Sequence, residues 1–146
     1  MSVRAQLEAR VGEVIGVGDW HTITQADVDR FADATRDHQW IHVDAARAAE
    51  GPFGATIAHG FMTLALIPGI GPVLDIPGVK MIVNYGLNRV RFISPVPTGS
   101  RVRVVREIAG VSEKPNGIHL EERVTIELEG SAKPACVAET LILLFV

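Results

Sequence analysis

The chain has 146 residues, of which 47% are hydrophobic and 21% are charged. This is the composition of a globular protein, and it argues against a disordered or fibrous chain. The length fits a single domain, taken here as residues 1–146, which can bury about two thirds of its unfolded surface. The net charge of −3 argues against a general basic field that grips nucleic acid.

The sequence also lacks the marks of a secreted or membrane protein. Cys136 is the only cysteine, so no internal disulfide can form, and we expect its side chain to be buried as a small hydrophobic group. Residues 1–10 lack the apolar run of a signal peptide, and no stretch approaches the roughly 18 apolar residues that cross a bilayer. We therefore expect a cytoplasmic protein with neither membrane nor nucleic-acid partners.

The first recognisable elements are two helices separated by a loop. Thr24 and Asp27 resemble a capping box with Asp in place of Glu, and the apolar residues that follow recur at helical spacing, which predicts a helix over 24–35. Asp44 can cap a second, short helix over 45–50. Residues 36–43 keep no helical or strand period, and this segment is predicted to be a loop.

The next segment predicts a buried helix. Residues 51–54 contain two glycines and a proline that break the chain, and residues 57–67 are then apolar nearly all round, apart from His59 and Thr63. A helix that is apolar on every side is typical of a protein interior.

The remainder of the chain has strand character. Strands are predicted over residues 80–92, 101–108, 118–128 and 136–146. The connections carry turn residues and are too short for crossover helices, which predicts an antiparallel meander. In the first strand the apolar side chains move from odd to even positions, which indicates a bulge near residues 86–88.

An antiparallel sheet that follows one apolar helix can pack by wrapping around it in two layers. This predicts an α+β hot-dog fold. An edge strand as apolar as Leu141–Val146 would need to be covered or paired, which favours a homodimer or a higher homo-oligomer.

Asp37 and His42 form a candidate acid–base pair in the predicted loop. They lie five positions apart and would diverge by about 140° on a helix, so only an irregular loop brings them together. A carboxylate and an imidazole can hold one water and share its protons near neutral pH. The alternative is a loop whose polar side chains only cap backbone groups.

A second candidate lies where residues 54–62 lead into the apolar helix. The backbone N–H of Gly60 would be unpaired at the positive end of the helix dipole, where it can stabilise a developing oxyanion. Two alternatives stay open: Gly60 allows only close packing of the helix, and His59 is a buried histidine with no catalytic role.

Together these segments resemble a known family. Residues 31–44, which contain Asp37 and His42, resemble the motif of MaoC-like (R)-specific enoyl-CoA hydratases, commonly Gly-Asp-x-Asn-Pro-x-His. Residues 53–60 and 83–92 resemble the start of the central helix and the following strand of that family. Arg36 replaces the glycine and Gln39-Trp40 replaces Asn-Pro, as in the nodulation-protein-N-like branch and in single-domain 3-hydroxyacyl-thioester dehydratases.

The resemblance implies reversible syn hydration of a trans-2-enoyl thioester, carried by CoA or acyl-carrier protein, to the (R)-3-hydroxyacyl thioester. Asp37 and His42 would position and deprotonate the water, and the Gly60 N–H would hold the thioester oxygen. The CoA thioester is the substrate; neither a cofactor nor a metal is implied.

Further contacts with the substrate are assigned to Gln39, His59, Asn84 and Tyr85. Gln39 keeps an amide near the position of the family's Asn, whereas Asn84 and Tyr85 either line the acyl pocket or fill the sheet at the bulge. Four arginines, at positions 89, 91, 101 and 103, contact a nucleotide phosphate or belong to solvated strand edges. Two other functions stay open: a hot-dog acyl-CoA thioesterase that uses the same cleft, and a non-catalytic acyl-CoA-binding module.

Overall fold

Six helices and six strands follow one another in a computed structural model that describes residues 1–146. The elements are α1 (Val3–Glu8), β1 (Val14–Val17), β2 (His21–Thr22), α2 (Gln25–Thr35), α3 (Trp40–Val43), α4 (Ala45–Ala49), α5 (Gly60–Ala65), α6 (Ile67–Ile70), β3 (Met81–Phe92), β4 (Arg101–Lys114), β5 (Gly117–Leu128) and β6 (Cys136–Phe145). No helix is long and apolar enough to span a membrane.

Helices α2 and α4 begin at the predicted capping residues. The Thr24 hydroxyl accepts a hydrogen bond from the Asp27 N–H at 3.1 Å, and the Asp44 carboxylate accepts one from the Arg47 N–H at 3.0 Å. The prediction that residues 36–43 are wholly a loop was wrong, because α3 occupies the second half. Its single turn is too short to leave a helical period in the sequence.

The central helix starts later than predicted. Ile57 pairs with Pro97 in an isolated β-bridge, and the Ala58 N–H donates to the Val96 carbonyl at 2.8 Å, so α5 begins only at Gly60. The prediction that this helix is buried on every side was also wrong. Phe61 is 72% exposed, on a flank of α5 that the protein's own sheet leaves uncovered.

All strand pairs are antiparallel, in the order β1-β4-β5-β6-β3, with β2 also paired to β4. Strands β4, β5 and β6 form the predicted meander. The prediction was wrong for β3, which pairs with β6 instead of β4, because residues 56–58 occupy the backbone groups of the intervening Val96 and Thr98. The register of β3 shifts between Asn84 and Gly86 and again between Leu87 and Arg89, which confirms the bulge.

The prediction that the C-terminal strand lies at a sheet edge was wrong, because β3 lies outside it and forms that edge. Strand β6 lies between β5 and β3, so its apolar residues are paired on both sides. In β3, the large apolar side chains are 41% to 58% exposed: Met81, Ile82, Val83, Tyr85, Leu87 and Phe92. The argument for an oligomer moves from the C-terminal segment to this strand.

The core consists of two apolar clusters on the inner face of the sheet. The first packs Met62 of α5 and Val28 of α2 against the sheet, and the second packs Leu7 of α1 against it. The sheet thus curves around the central helix, which confirms the α+β hot-dog fold. Cys136 is fully buried in the first cluster, and this burial raises the pKa of its thiol to about 11.

Arg36 ends α2 in a left-handed conformation. Its φ of 66° is the only positive φ at a residue other than glycine, and this is the position where the resembled motif carries glycine. This conformation is disfavoured for an L-residue, because its Cβ makes an unfavourable steric contact that glycine lacks.

We expect Arg36→Gly to raise the free energy of unfolding by roughly 0.5–1 kcal/mol, since relief of this contact exceeds the added entropy of the unfolded chain. Urea unfolding followed by circular dichroism measures the change. The control Arg30→Gly places the same substitution inside α2 and should destabilise by about 1 kcal/mol. Equal losses in the two variants would contradict the assignment of strain to Arg36.

Candidate functional site

The fold brings together Asp37, His42 and His59, the first two as the sequence predicted. One donor atom from each lies within 4.8 Å of the other two. Asp37 is exposed at the surface, whereas His42 and His59 are only 6% and 3% exposed. The single turn of α3 carries His42 back toward Asp37, so their separation on a continuous helix does not apply.

The hydrogen bond of His42 defines its tautomer. Its Nδ1 lies 2.7 Å from the carbonyl oxygen of Ile57. A carbonyl oxygen only accepts, so Nδ1 carries the hydrogen and, in the neutral ring, Nε2 keeps its lone pair. This nitrogen is therefore the one that can accept a proton.

His59 contacts both His42, through its ring, and the backbone of Asp37, through a hydrogen bond. Its ring stacks on the His42 ring, with the centroids 3.8 Å apart and the planes at 22°, and it contacts the Phe31 ring at 4.9 Å. Its Nε2 donates to the main-chain carbonyl of Asp37 at 2.9 Å, and its Nδ1 is buried without a hydrogen-bond partner. These contacts are those of a supporting residue, and its predicted contact with substrate stays a prediction.

Gln25, in the first turn of α2, supports the same loop and was missed from the sequence. Its amide donates to the His42 carbonyl at 2.8 Å and accepts from the Thr56 hydroxyl at 2.6 Å. Thr56 also contacts the Thr98 hydroxyl at 2.7 Å. A polar residue at a helix start carries no pattern that distinguishes this role from an exposed position.

The exposed residues His38 and Asp33 form a hydrogen-bonded pair at the start of the loop. His38 Nε2 lies 2.8 Å from the Asp33 carboxylate, a hydrogen bond that raises the pKa of His38. The Gln39 side chain is exposed and makes no hydrogen bond, while its backbone N–H donates to Asp37 Oδ1 at 3.3 Å. Gln39 thus contacts the Asp37 carboxylate through its main chain.

Gly60 is the first residue of α5, as its predicted role requires. A Cβ at this position would lie 3.1 Å from the ring of Phe92, which in turn meets the Phe61 ring edge-on at 6.0 Å. Close packing, the alternative explanation for this glycine, is therefore present in the structure alongside an N–H at the helix start.

A cavity of about 730 Å³ lies between the α5–α6 helices and the inner face of β3 and β6. Phe61, next to Gly60, lines it, and so do the predicted Asn84 and Tyr85. Most of the wall is apolar. Three polar residues that the sequence analysis missed also line it: Arg106, Glu122 and Thr140.

Two of the four arginines considered for phosphate binding are paired within the sheet. Arg101 forms an ion pair with Glu129, and Arg103 forms one with Glu127 at 2.7 Å. The first pair joins β4 to the residue after β5 and the second joins β4 to β5, both near solvent, where such pairs contribute little to stability. For these two residues the structure favours solvated strand edges.

The three donors of the site do not suit a metal ion. The centroids of the two imidazole rings lie 3.8 Å apart, and the ring planes meet at 22°. The in-plane lone pairs of the two rings therefore do not converge on a point about 2.0–2.1 Å from a nitrogen of each ring, as a bound zinc ion requires. In addition, His42 Nδ1 and His59 Nε2 already face carbonyl oxygens. One nitrogen of His42 and one oxygen of Asp37 lie within 4.8 Å of each other, a separation that a single water molecule can bridge.

Comparison with known proteins gives consistent results. The chain matches the family model "MaoC like domain" over residues 6–129. It is 58% identical to 3-hydroxyacyl-thioester dehydratase Z of Mycobacterium tuberculosis strain ATCC 25618 / H37Rv over 140 residues, which are 94% of this chain and 93% of the relative. It is 46% identical to nodulation protein N of Rhizobium leguminosarum bv. viciae over 143 residues, 92% and 86% of the two chains.

Solved structures of hydratases share the fold. The unliganded R-hydratase PhaJ1 of Pseudomonas aeruginosa superposes with a TM-score of 0.74 at 28% identity, covering 92% of this chain and 81% of that one. The (R)-hydratase of A. caviae involved in PHA biosynthesis gives 0.72 at 25% identity, covering 90% and 98%. Sequence and structure agree along almost the whole chain, and the protein belongs to the family of MaoC-like domains.

Proposed function

We propose that the protein is a hydro-lyase that reversibly adds water to a trans-2-enoyl thioester of CoA or acyl-carrier protein to give the (R)-3-hydroxyacyl thioester. The observation that carries the proposal is the fixed tautomer of His42, which leaves Nε2 as the acceptor of a ring that has one nitrogen within 4.8 Å of the Asp37 carboxylate. The 58% identical relative named as a 3-hydroxyacyl-thioester dehydratase supports the same reaction.

In this mechanism His42 Nε2 and the Asp37 carboxylate each accept one O–H of the same water. The water oxygen attacks C3 as its proton passes to the pair, the electrons move to the thioester oxygen, and a proton is returned to C2. The base is not divided between Asp37 and His42, because both accept a hydrogen bond from the same water. A protonated His42 keeps its bond to the Ile57 carbonyl and its stacking contact with the His59 ring.

The thioester oxygen is assigned to the Gly60 N–H. This N–H lies in the first turn of α5, where backbone donors lack intrahelical acceptors and the dipole favours negative charge. A fixed donor of this kind stabilises the enolate more than the neutral thioester, which lowers the barrier.

The acyl chain is placed in the cavity beside α5. Its wall begins at Phe61, the residue after the proposed oxygen-binding N–H, and continues to Asn84 and Tyr85. Its volume of about 730 Å³ lies within the range of small-molecule sites, and a mostly apolar wall suits a hydrocarbon chain.

A homodimer is proposed to form through β3. The strand is long, lies at the sheet edge and exposes apolar side chains that an isolated protein would leave in water. We also place the protein in the cytoplasm, where a single reduced cysteine and CoA thioesters are both expected.

Asp37→Asn and His42→Ala should each lower kcat by about 10² or more because each removes a water acceptor, while the fold is retained. The loss of enoyl-thioester absorbance with crotonyl-CoA measures the rate. The control Asp33→Asn alters an exposed carboxylate at the end of α2, outside the water site, keeps an oxygen that can accept from His38, and should stay near wild type. Wild-type turnover in Asp37→Asn would remove Asp37 from the mechanism, and release of free thiol would indicate a thioesterase.

Full activity after chelator treatment is expected, because the proposed mechanism uses no metal.

His59 is proposed to act as a positioning residue for the Asp37 backbone and the His42 ring. His59→Phe keeps a stacking ring but loses the N–H that binds the Asp37 carbonyl, so kcat should fall by about tenfold or more with little change in KM. His59→Gln restores an N–H donor and should recover part of kcat. A rise in KM with unchanged kcat would instead place His59 in contact with substrate.

Val83→Lys places a charge on the exposed apolar edge strand and should shift the protein from dimer to monomer in light scattering at micromolar concentration. Val14→Lys makes the same change on β1, at the opposite edge of the sheet, and should leave the dimer intact. A monomeric wild type, or dissociation of both variants alike, would contradict an interface at β3.

A further inference from the structure

Three neighbouring strands each place one polar residue among the apolar side chains of the inner sheet face. In the inward alternation of the three strands, Arg106 lies between Val104 and Ile108 on β4, Glu122 between Leu120 and Val124 on β5, and Thr140 between Ala138 and Ile142 on β6. The residues are 8%, 1% and 8% exposed. This polar row of Arg106, Glu122 and Thr140 separates the two apolar clusters of the core.

The polar row is a connected and electrically neutral network. Arg106 donates from Nε at 3.0 Å and from Nη2 at 2.6 Å to Glu122 Oε1, and from Nη1 to the Pro72 carbonyl at 2.8 Å. Thr140 donates its hydroxyl to Glu122 Oε2 at 3.1 Å. A guanidinium group has five N–H bonds, so one on Nη1 and one on Nη2 have no acceptor within the protein.

Stability alone does not account for this network. A buried ion pair is often no more stabilising than well-packed apolar side chains of similar volume, because desolvation offsets the attraction between the charges. All three residues instead line the cavity of about 730 Å³, where Arg106 and Glu122 are the two charged residues of a mostly apolar wall. The unpaired N–H bonds and the lone pairs of the Thr140 hydroxyl are hydrogen-bonding groups for a molecule inside the cavity.

We infer that the preferred substrate carries a neutral oxygen function, a hydroxyl or an oxo group, on its acyl chain beyond the 2,3 double bond, where it accepts a hydrogen bond from Arg106. The inference rests on the proposed hydration of an enoyl thioester in this cavity. A neutral group fits better than a carboxylate, because the Glu122 carboxylate already balances the guanidinium charge and would repel a second anion.

The test compares kcat/KM for trans-2-octenoyl-CoA with the same thioester bearing a hydroxyl or an oxo group at successive positions from C5 to C8, and with its C8 carboxylate. One neutral oxygenated substrate should exceed the plain chain by about tenfold or more, since a buried donor left unpaired opposes the plain chain. The carboxylate should be the poorest. No preference for any oxygenated chain, with the plain chain turned over well, would overturn the inference and leave the proposed function standing.

A double variant, Arg106→Met with Glu122→Leu, removes both charges together, so no unpaired charge is buried and folding should be retained. Its preference should reverse toward the plain chain. The matched control, Arg103→Met with Glu127→Leu, removes an ion pair on the same two strands outside the cavity and should leave the preference unchanged.

Thr140→Val provides a smaller change that keeps the shape of the side chain. It should reduce the advantage of the hydroxylated chain more than that of the oxo chain, because only a hydroxyl can also donate to the Thr140 oxygen. An unchanged preference in both this variant and the double variant would overturn the inference. Failure of the wild type to hydrate crotonyl-CoA and every octenoyl thioester of this series would instead reject the proposed function itself.

Discussion

The proposed catalytic geometry depends on the pairing of Ile57 with α3. The Ile57 N–H donates to the Ile41 carbonyl at 3.0 Å, and the Ile57 carbonyl accepts from His42 Nδ1 at 2.7 Å. These two hydrogen bonds connect the segment that contains Ile41 and His42 to Ile57, three residues before Gly60. They bring the acid–base pair to the start of the central helix, and the bond from His42 Nδ1 selects the tautomer that leaves His42 Nε2 free. A structural contact and a chemical requirement are thus met by one hydrogen bond.

The central helix has two different sides, and this asymmetry links the reaction site to the cavity. Met62 and Thr63 face the interior, whereas Phe61 and Leu64 line the cavity together with residues of the exposed strand β3. A fully buried helix would leave no space for an acyl chain. The uncovered flank therefore represents an incomplete core in the single chain, which a substrate and a second subunit can complete.

Local features could be predicted from the sequence, and the strand order could not. The caps of α2 and α4, the bulge in β3 and the Asp37–His42 loop are encoded by residues a few positions apart. Alternation in a strand shows which face is buried but not which strand lies beside it, so the pairing of β3 with β6 was missed. For the same reason Ile57 and Ala58 were assigned to the helix, because apolar residues suit a buried bridge equally well.

The polar row shows where local and long-range information must be combined. The inward alternation of β5 passes through Ile118, Leu120, Val124 and Ile126, and its interruption at Glu122 is visible in the sequence. The partners of Glu122 are not visible in the sequence. Glu122 lies opposite Thr140 of the neighbouring strand β6, whereas Arg106 of β4 lies opposite Val124 and thus diagonally from Glu122. An arginine is long enough to span that diagonal. Only the three-strand register shows that these interruptions form one network inside the cavity, so the specificity of the site is set by register as much as by residue type.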